Sequence, residues 1–248
     1  MLSFDKPLLV AVVSARSLAP DLKAVEKAEP DVIEFRADLQ DTVNAGTLLA
    51  QLEEIKERSS LPVLFTLRDV CEGGEFGGED GEREMLYRAI LPYVDAIDIE
   101  AVNLDVYGEL RQEIRHRSIT SILSYHNFKT TPDTTDLDKI IAFTGTVAPD
   151  IIKIATVCKT SYDALRLLSL PEKHPEQAMA IIGMGELGRT VRVVAPAFKS
   201  VLGYASLNTA VAPGQLSVEE LRTAWHLAGI PHRTRDRERN RDNNKELL

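Results

Sequence analysis

The chain has 248 residues, 44% hydrophobic and 27% charged, which suits one large folded domain rather than a disordered or fibrous polymer. Its formal net charge of −9 argues against a general nucleic-acid binder, which needs a basic footprint, and no apolar run approaches the ~18 residues of a membrane span. Cys71 and Cys158 are the two cysteines, without a CxxC pair or partnered histidine spacing, so neither a disulfide framework nor a zinc site is indicated and a reducing, cytoplasmic setting is expected.

The N-terminal MLSFDKP runs into strand-like LLVAVV (8–13) without a basic leader, and a helix is expected near 20–28. In the second strand, VIEFRA (32–37), alternation puts Ile33, Phe35 and Ala37 on one face and Glu34 and Arg36 on the other. In a barrel the charged pair points inward, where two charges are costly unless paired or used. The helix at 45–58 gathers Leu48, Leu49, Leu52 and Ile55 on one face, with Glu53, Glu54, Lys56 and Glu57 largely opposite, as an outer-ring helix does. The third strand, PVLFTL (62–67), leads into Arg68 and Glu72 just before two Gly-Gly pairs, which let the backbone turn sharply over a site. The acids Glu72, Glu75, Glu79 and Asp80 lack EF-hand spacing and read as a solvated loop rather than a metal centre.

A helix at 82–91, strand AIDIE (96–100) and a helix at 103–116 precede SILSY (121–125). SYHNF then places His126, a natural proton shuttle, at the C-terminal rim where barrel enzymes keep their catalysts. After a helix at 136–147, IIKIA (151–155) sets Lys153 on one face with Ile151 and Ala155. A lysine on an aliphatic strand either snorkels to a carboxylate or serves as a Schiff-base nucleophile. Desolvation and neighbouring cations such as Arg36, Arg68 or Arg192 would favour the neutral amine.

A helix at 161–169 leads to AMAIIG (178–183), and residues 183–188 read GMGELG, a literal GxGxxG. A dinucleotide fold is not expected, because too few strands follow and no acid sits ~20 residues later. The alternative is an anion at the start of the next helix (190–198), with Arg189 and Arg192 nearby. Strand SVLGYA (200–205) and a helix at 217–228, opened by a Ser217/Glu220 capping box, finish the series. His116, His174, His226 and His232 receive no role.

Eight βα units predict a single-domain α/β (β/α)8 TIM barrel over 1–231. The charged segment 232–248 holds six Lys/Arg and four Asp/Glu with almost no hydrophobes, and is expected to be a disordered tail.

Taken together, EFRAD (34–38), TLRDVCEGGE (66–75), SYHNF (124–128), KIA (153–155), GMGELGRTVR (183–192) and APGQ (212–215) resemble the type I 3-dehydroquinate dehydratase family, in family order and over residues 5–230. The resemblance implies a lyase of the shikimate pathway whose substrate is 3-dehydroquinate, with no metal or dissociable cofactor, no nucleic-acid or membrane partner, and a homodimeric assembly. It implies that Lys153 forms an imine with the substrate ketone, His126 moves the protons and Glu72 orients His126. By the same resemblance Arg192 grips the substrate carboxylate, Glu34, Phe35, Arg36 and Arg68 bind around the hydroxyls and the lysine, and Ser14 and Gln215 are weaker binding positions. Many relatives carry serine where this chain has Val211, which puts one hydrogen bond of the loop 206–216, expected to act as a lid, in doubt.

A sugar-phosphate aldolase or transaldolase would suit Lys153 and the Gly-rich unit equally, but arginines on several strands favour a compact carboxylate-bearing polyol over a single phosphate cup. A barrel that only binds a metabolite would have no need of Lys153 and His126 together.

Overall fold

The computed structural model describes residues 1–208, 212 and 214–232, so Val211 and the charged tail from 233 onward lie outside the described residues. Eight parallel strands alternate with helices: β1 (Leu8–Ser14), β2 (Val32–Arg36), β3 (Val63–Thr66), β4 (Ala96–Glu100), β5 (Thr120–Asn127), β6 (Ile151–Val157), β7 (Met179–Met184) and β8 (Leu202–Ala205). The principal helices are α1 (Leu18–Ala28), α2 (Ala45–Arg58), α3 (Asp80–Ile90), α4 (Leu104–His116), α5 (Thr134–Gly145), α6 (Ser161–Lys173), α7 (Gly185–Val194) and α8 (Val218–Leu227). The strands run in sequence order from β1 to β7 with β8 against β1. The last joint, β7 to β8, is made by an isolated bridge, Met179 to Ser200, where the Val201 N–H donates to the Met179 carbonyl at 2.9 Å. This is the (β/α)8 barrel that the eight apolar runs predicted.

Two concentric cores follow from strand alternation. Ile33, Phe35, Phe65, Ile97 and Ile99 face outward and pack beneath the helices, with Leu48, Leu52 and Ile55 of α2 among the residues closing over them. Val10, Val32, Leu64, Ala96, Ile122 and Ile151 fill the barrel interior. One step of two residues further along each strand, the inner wall changes character: Val32 gives way to Glu34, Leu64 to Thr66, Ala96 to Asp98, Ile122 to Ser124 and Ile151 to Lys153. Another step brings Arg36, Arg68, Glu100 and His126. The apolar lower layer holds the barrel shut, and polar chemistry begins at one level on five adjacent strands.

The glycines of GMGELG serve packing. A Cβ on Gly183 would stand 2.6 Å from the Gly188 carbonyl oxygen, and one on Gly188 would stand 2.5 Å from the carbonyl carbon of Gly183. Their absence lets α7 lie directly on β7. Helix α7 therefore begins at Gly185, earlier than the expected 190, and Pro196 ends it in a 3-10 turn instead of allowing a helix to 198. Helix α6 runs past the expected 169 to Lys173. The Ser217/Glu220 capping box is present at α8. No described helix is long and apolar enough to cross a membrane.

Candidate active site

The polar inner layers open into a cavity of about 530 Å³, counted out to its mouth, which Glu34, Arg36, Arg68, Glu72, His126, Lys153, Arg192 and Gln215 all help to line. Ser14 and Phe35 do not join them. Ser14 ends β1 beside Arg36, and its hydroxyl accepts from the Arg16 N–H at 3.2 Å. Phe35 is a correction to the expected binding set: its side chain belongs to the outward face, buried with its ring centre 6.1 Å from that of Phe65. Residues adjacent in a strand point to opposite faces, so sequence proximity to Glu34 and Arg36 does not bring the Phe35 ring to the site.

Lys153 is 5% exposed and donates to Asp98 Oδ2 at 2.8 Å, with Glu34 Oε1 at 3.7 Å and the Tyr204 ring centre 4.2 Å from Nζ. Its immediate neighbours are thus anions and an aromatic face, not the arginines expected from sequence, because a buried ammonium needs a counter-charge. Arg68 reaches the same carboxylate from the other side, Nη2 to Asp98 Oδ1 at 2.9 Å, and its Nη1 donates to Glu100 at 2.8 Å and to Ser124 Oγ at 2.6 Å. Burial opposes the ionisation of Asp98, but Arg68 and Lys153 outweigh it and hold the acid well below the usual carboxylate range. Glu34 accepts from Thr66 Oγ1 at 2.9 Å. Arg36 makes a two-point contact with Asp38, at 2.8 and 2.7 Å, which fixes its guanidinium at the cavity wall.

His126 lies on β5 facing the cavity, its side chain 9% exposed. Glu72, in the short 3-10 turn after β3, meets it twice through Oε2: at 2.8 Å from Nδ1 and at 3.0 Å from the His126 backbone N–H. Burial pushes the Glu72 carboxyl up to about 8, against the pull of Arg68. Burial likewise, followed by the charges of Arg68 and Lys153, drives the His126 imidazolium well below its ordinary 6.5. The two therefore share few charges near neutrality. When Glu72 ionises, it accepts a hydrogen bond from Nδ1–H, which keeps the proton on Nδ1 and leaves Nε2 as a lone pair able to take a proton.

Arg192, on α7, is 4% exposed, and its Nε and Nη2 have no hydrogen-bond partner among the described residues. Burial lowers its guanidinium to about 10, still cationic at neutral pH. An unpaired buried cation on a cavity wall is a ready place for an anion. Arg189, one turn earlier, instead points outward and reaches Glu220 at 3.2 Å. The acids of the Gly-rich loop separate as well, Glu75 pairing with Arg16 at 2.8 Å, and no group of three metal-ligating side chains occurs among the described residues.

Asp98, Glu100 and Tyr204 are the site residues that sequence reasoning passed over. The signal for the first two was present in AIDIE, where Ala96, Asp98 and Glu100 share a face. Tyr204 carried none, because an aromatic ring in a strand reads as packing.

Residues 8–231 match the family profile for Type I 3-dehydroquinase. The chain is 36% identical over 230 residues to a 3-dehydroquinate dehydratase of Methanosarcina acetivorans, covering 90% of this chain and 95% of that one. It is 34% identical over 227 residues to that of Methanococcoides burtonii, with the same two coverages. Among solved structures, the 3-dehydroquinate dehydratase of Geobacillus kaustophilus superposes with a TM-score of 0.86 at 26% identity, over 92% of this chain and 93% of its own.

Proposed function

The chain belongs to the type I 3-dehydroquinase family, and on that footing we propose that it is a 3-dehydroquinate dehydratase, eliminating water from 3-dehydroquinate through a Schiff base on Lys153. The observation that carries this reading is a lysine amine and a carboxylate-oriented histidine opening onto one cavity.

Lys153 gives up its proton to water in the cavity, and the free amine, positioned by Asp98 and Glu34, adds to the ketone carbon; loss of the ketone oxygen as water leaves a protonated imine. The iminium draws electrons from the neighbouring carbon, so His126 can remove a proton there and the electron pair moves onto nitrogen as an enamine. Collapse of the enamine expels the β-hydroxyl, which takes the proton back from His126 and departs as water. Hydrolysis of the remaining imine releases 3-dehydroshikimate and restores the amine. Glu72 keeps the His126 ring turned towards this carbon. Arg192 receives the substrate carboxylate, and Arg36, Arg68, Glu34 and Gln215 surround its hydroxyls. Ser14 acts at the rim beside Arg36. The reaction needs only these side chains and water, places the protein in the shikimate pathway of the cytoplasm, and is carried out by a homodimer.

Borohydride added during turnover of 3-dehydroquinate should reduce the imine and fix the ligand on the peptide containing Lys153, as peptide mass mapping will read. A label on Lys159 or Lys199, or none on a folded enzyme, removes the Schiff-base mechanism.

A further inference from the structure

Tyr204 stands on β8 with its ring under the Lys153 amine, 5% exposed, and its hydroxyl is buried without a hydrogen-bond partner among the described residues. Packing explains the ring but not the oxygen. Phenylalanine would present the same aromatic face to Nζ and would spare the fold an unsatisfied buried hydroxyl, which is destabilising. The polar groups of the same layer are engaged elsewhere: Glu34 with Thr66 and Lys153, and Asp98 with Lys153, Arg68 and Ser124. A polar group left unmatched at the wall of a cavity is matched by what enters the cavity.

We propose that the Tyr204 hydroxyl is a substrate-binding donor, taking an oxygen substituent on the ring carbon next to the carbonyl carbon that Lys153 attacks. This rests on the Schiff-base reading, because the bond to Nζ is what fixes the ligand over the Tyr204 ring. Nζ lies 4.2 Å from the centre of the Tyr204 ring, so the carbon bonded to it is held close to that ring and the nearest substituents are those on its two neighbours; one of these gives up its proton, which leaves the hydroxyl on the other for the phenol. Burial, and then the charges of Glu34 and Asp98, keep the phenol protonated well above its ordinary range, so it serves as a donor at any working pH. Tyr204 thereby selects cyclic ketones that carry a hydroxyl beside the carbonyl.

Tyr204→Phe tests this by separating folding from binding. The unliganded variant should unfold at the same or a higher temperature than the wild type, while its Kd for 3-dehydroshikimate, measured by calorimetry, rises about 3- to 10-fold, as loss of one hydrogen bond to a neutral group implies. The Kd for 3-oxocyclohexane carboxylate, which lacks the adjacent hydroxyl, should be the same for both proteins. Equal Kd values for 3-dehydroshikimate, or a lowered unfolding temperature without ligand, would overturn the assignment, the latter by revealing a structural partner for the hydroxyl. Borohydride trapping in both proteins tells the two ideas apart. Normal trapping at Lys153 with unchanged affinity counts against Tyr204 alone, whereas failure to trap in the wild type removes the Schiff base and the Tyr204 role with it.

Discussion

Replacing Glu72 by glutamine should make the protein more stable at alkaline pH while making it a poorer catalyst. In the fold the Glu72 carboxyl is 5% exposed and ionises at about 8, against 4.5 for an ordinary glutamate. A group whose folded value is raised contributes stability that is fully present below the unfolded value and is lost as the pH climbs through the folded one. For Glu72 the window is pH 4.5 to about 8. At about 1.4 kcal/mol per unit, the change amounts to an upper bound of about 5 kcal/mol, reduced by whatever water or rearrangement reaches the carboxylate. Glutamine fills the same space, carries no charge and can still accept from His126 Nδ1, so it escapes this loss. Denaturant unfolding of the two proteins at pH 5, 7 and 9 should show a difference that grows with pH in favour of Glu72→Gln. In turnover the order reverses: wild-type kcat/KM should rise with pH towards a plateau above about 8, as the carboxylate forms and its negative charge makes Nε2 a stronger base, and the variant, whose amide carries no charge, should lack that rise. A stability difference that stays constant from pH 5 to 9 would show that Glu72 is not held neutral by burial, and would refute the reasoning.

His126→Ala should lose about 10²- to 10⁴-fold in turnover while still trapping some ligand on Lys153 with borohydride, since the nucleophile remains; wild-type turnover would mean that another group moves the protons. Asp98→Ala strands Lys153 and Arg68 without their shared counter-charge and should cost about 3–5 kcal/mol in denaturant unfolding, far more than a surface carboxylate. Gly188→Ala places a methyl group against the backbone of Gly183 and should cost about 1–3 kcal/mol, with circular dichroism unchanged below the transition. Gln215→Ala should raise KM several-fold and leave borohydride trapping at saturating substrate detectable; unchanged kinetics would remove Gln215 from the site.

Lys153, His126, Glu34 and Arg36 were legible in the sequence because each interrupts an apolar strand, and strand parity then tells which side of the wall they occupy. Parity also condemns Phe35, whose place between two site residues in the chain puts its ring outside the barrel. The electrostatics could not be read the same way. Whether Lys153 meets arginines or carboxylates depends on which residues of β2, β3 and β4 share its layer, and that is set by the stagger between strands. Helix starts were misplaced where the local chemistry is ambiguous: glycine in GELG reads as loop, yet here glycines are what allow α7 to begin against β7.

The barrel wall is not laced evenly. β6 and β7 are joined from Met179 to Met184 and β1 and β8 from Leu8 to Ala11, whereas β7 meets β8 through one bridge low in the wall. Above it the stretch is splinted from outside, by Trp225 of α8 lying against Gly203 and by Arg189 of α7 reaching Glu220 of α8. A cylinder with one unstitched stave breathes there first. Warming should therefore widen the flank that carries Arg192 and Tyr204 before it disturbs the opposite side, where Arg68, Asp98, Glu100 and Ser124 are cross-tied. Grip on the ligand would then fade at temperatures where the fold as a whole still stands, and it would fade through the anchoring groups before the reacting ones.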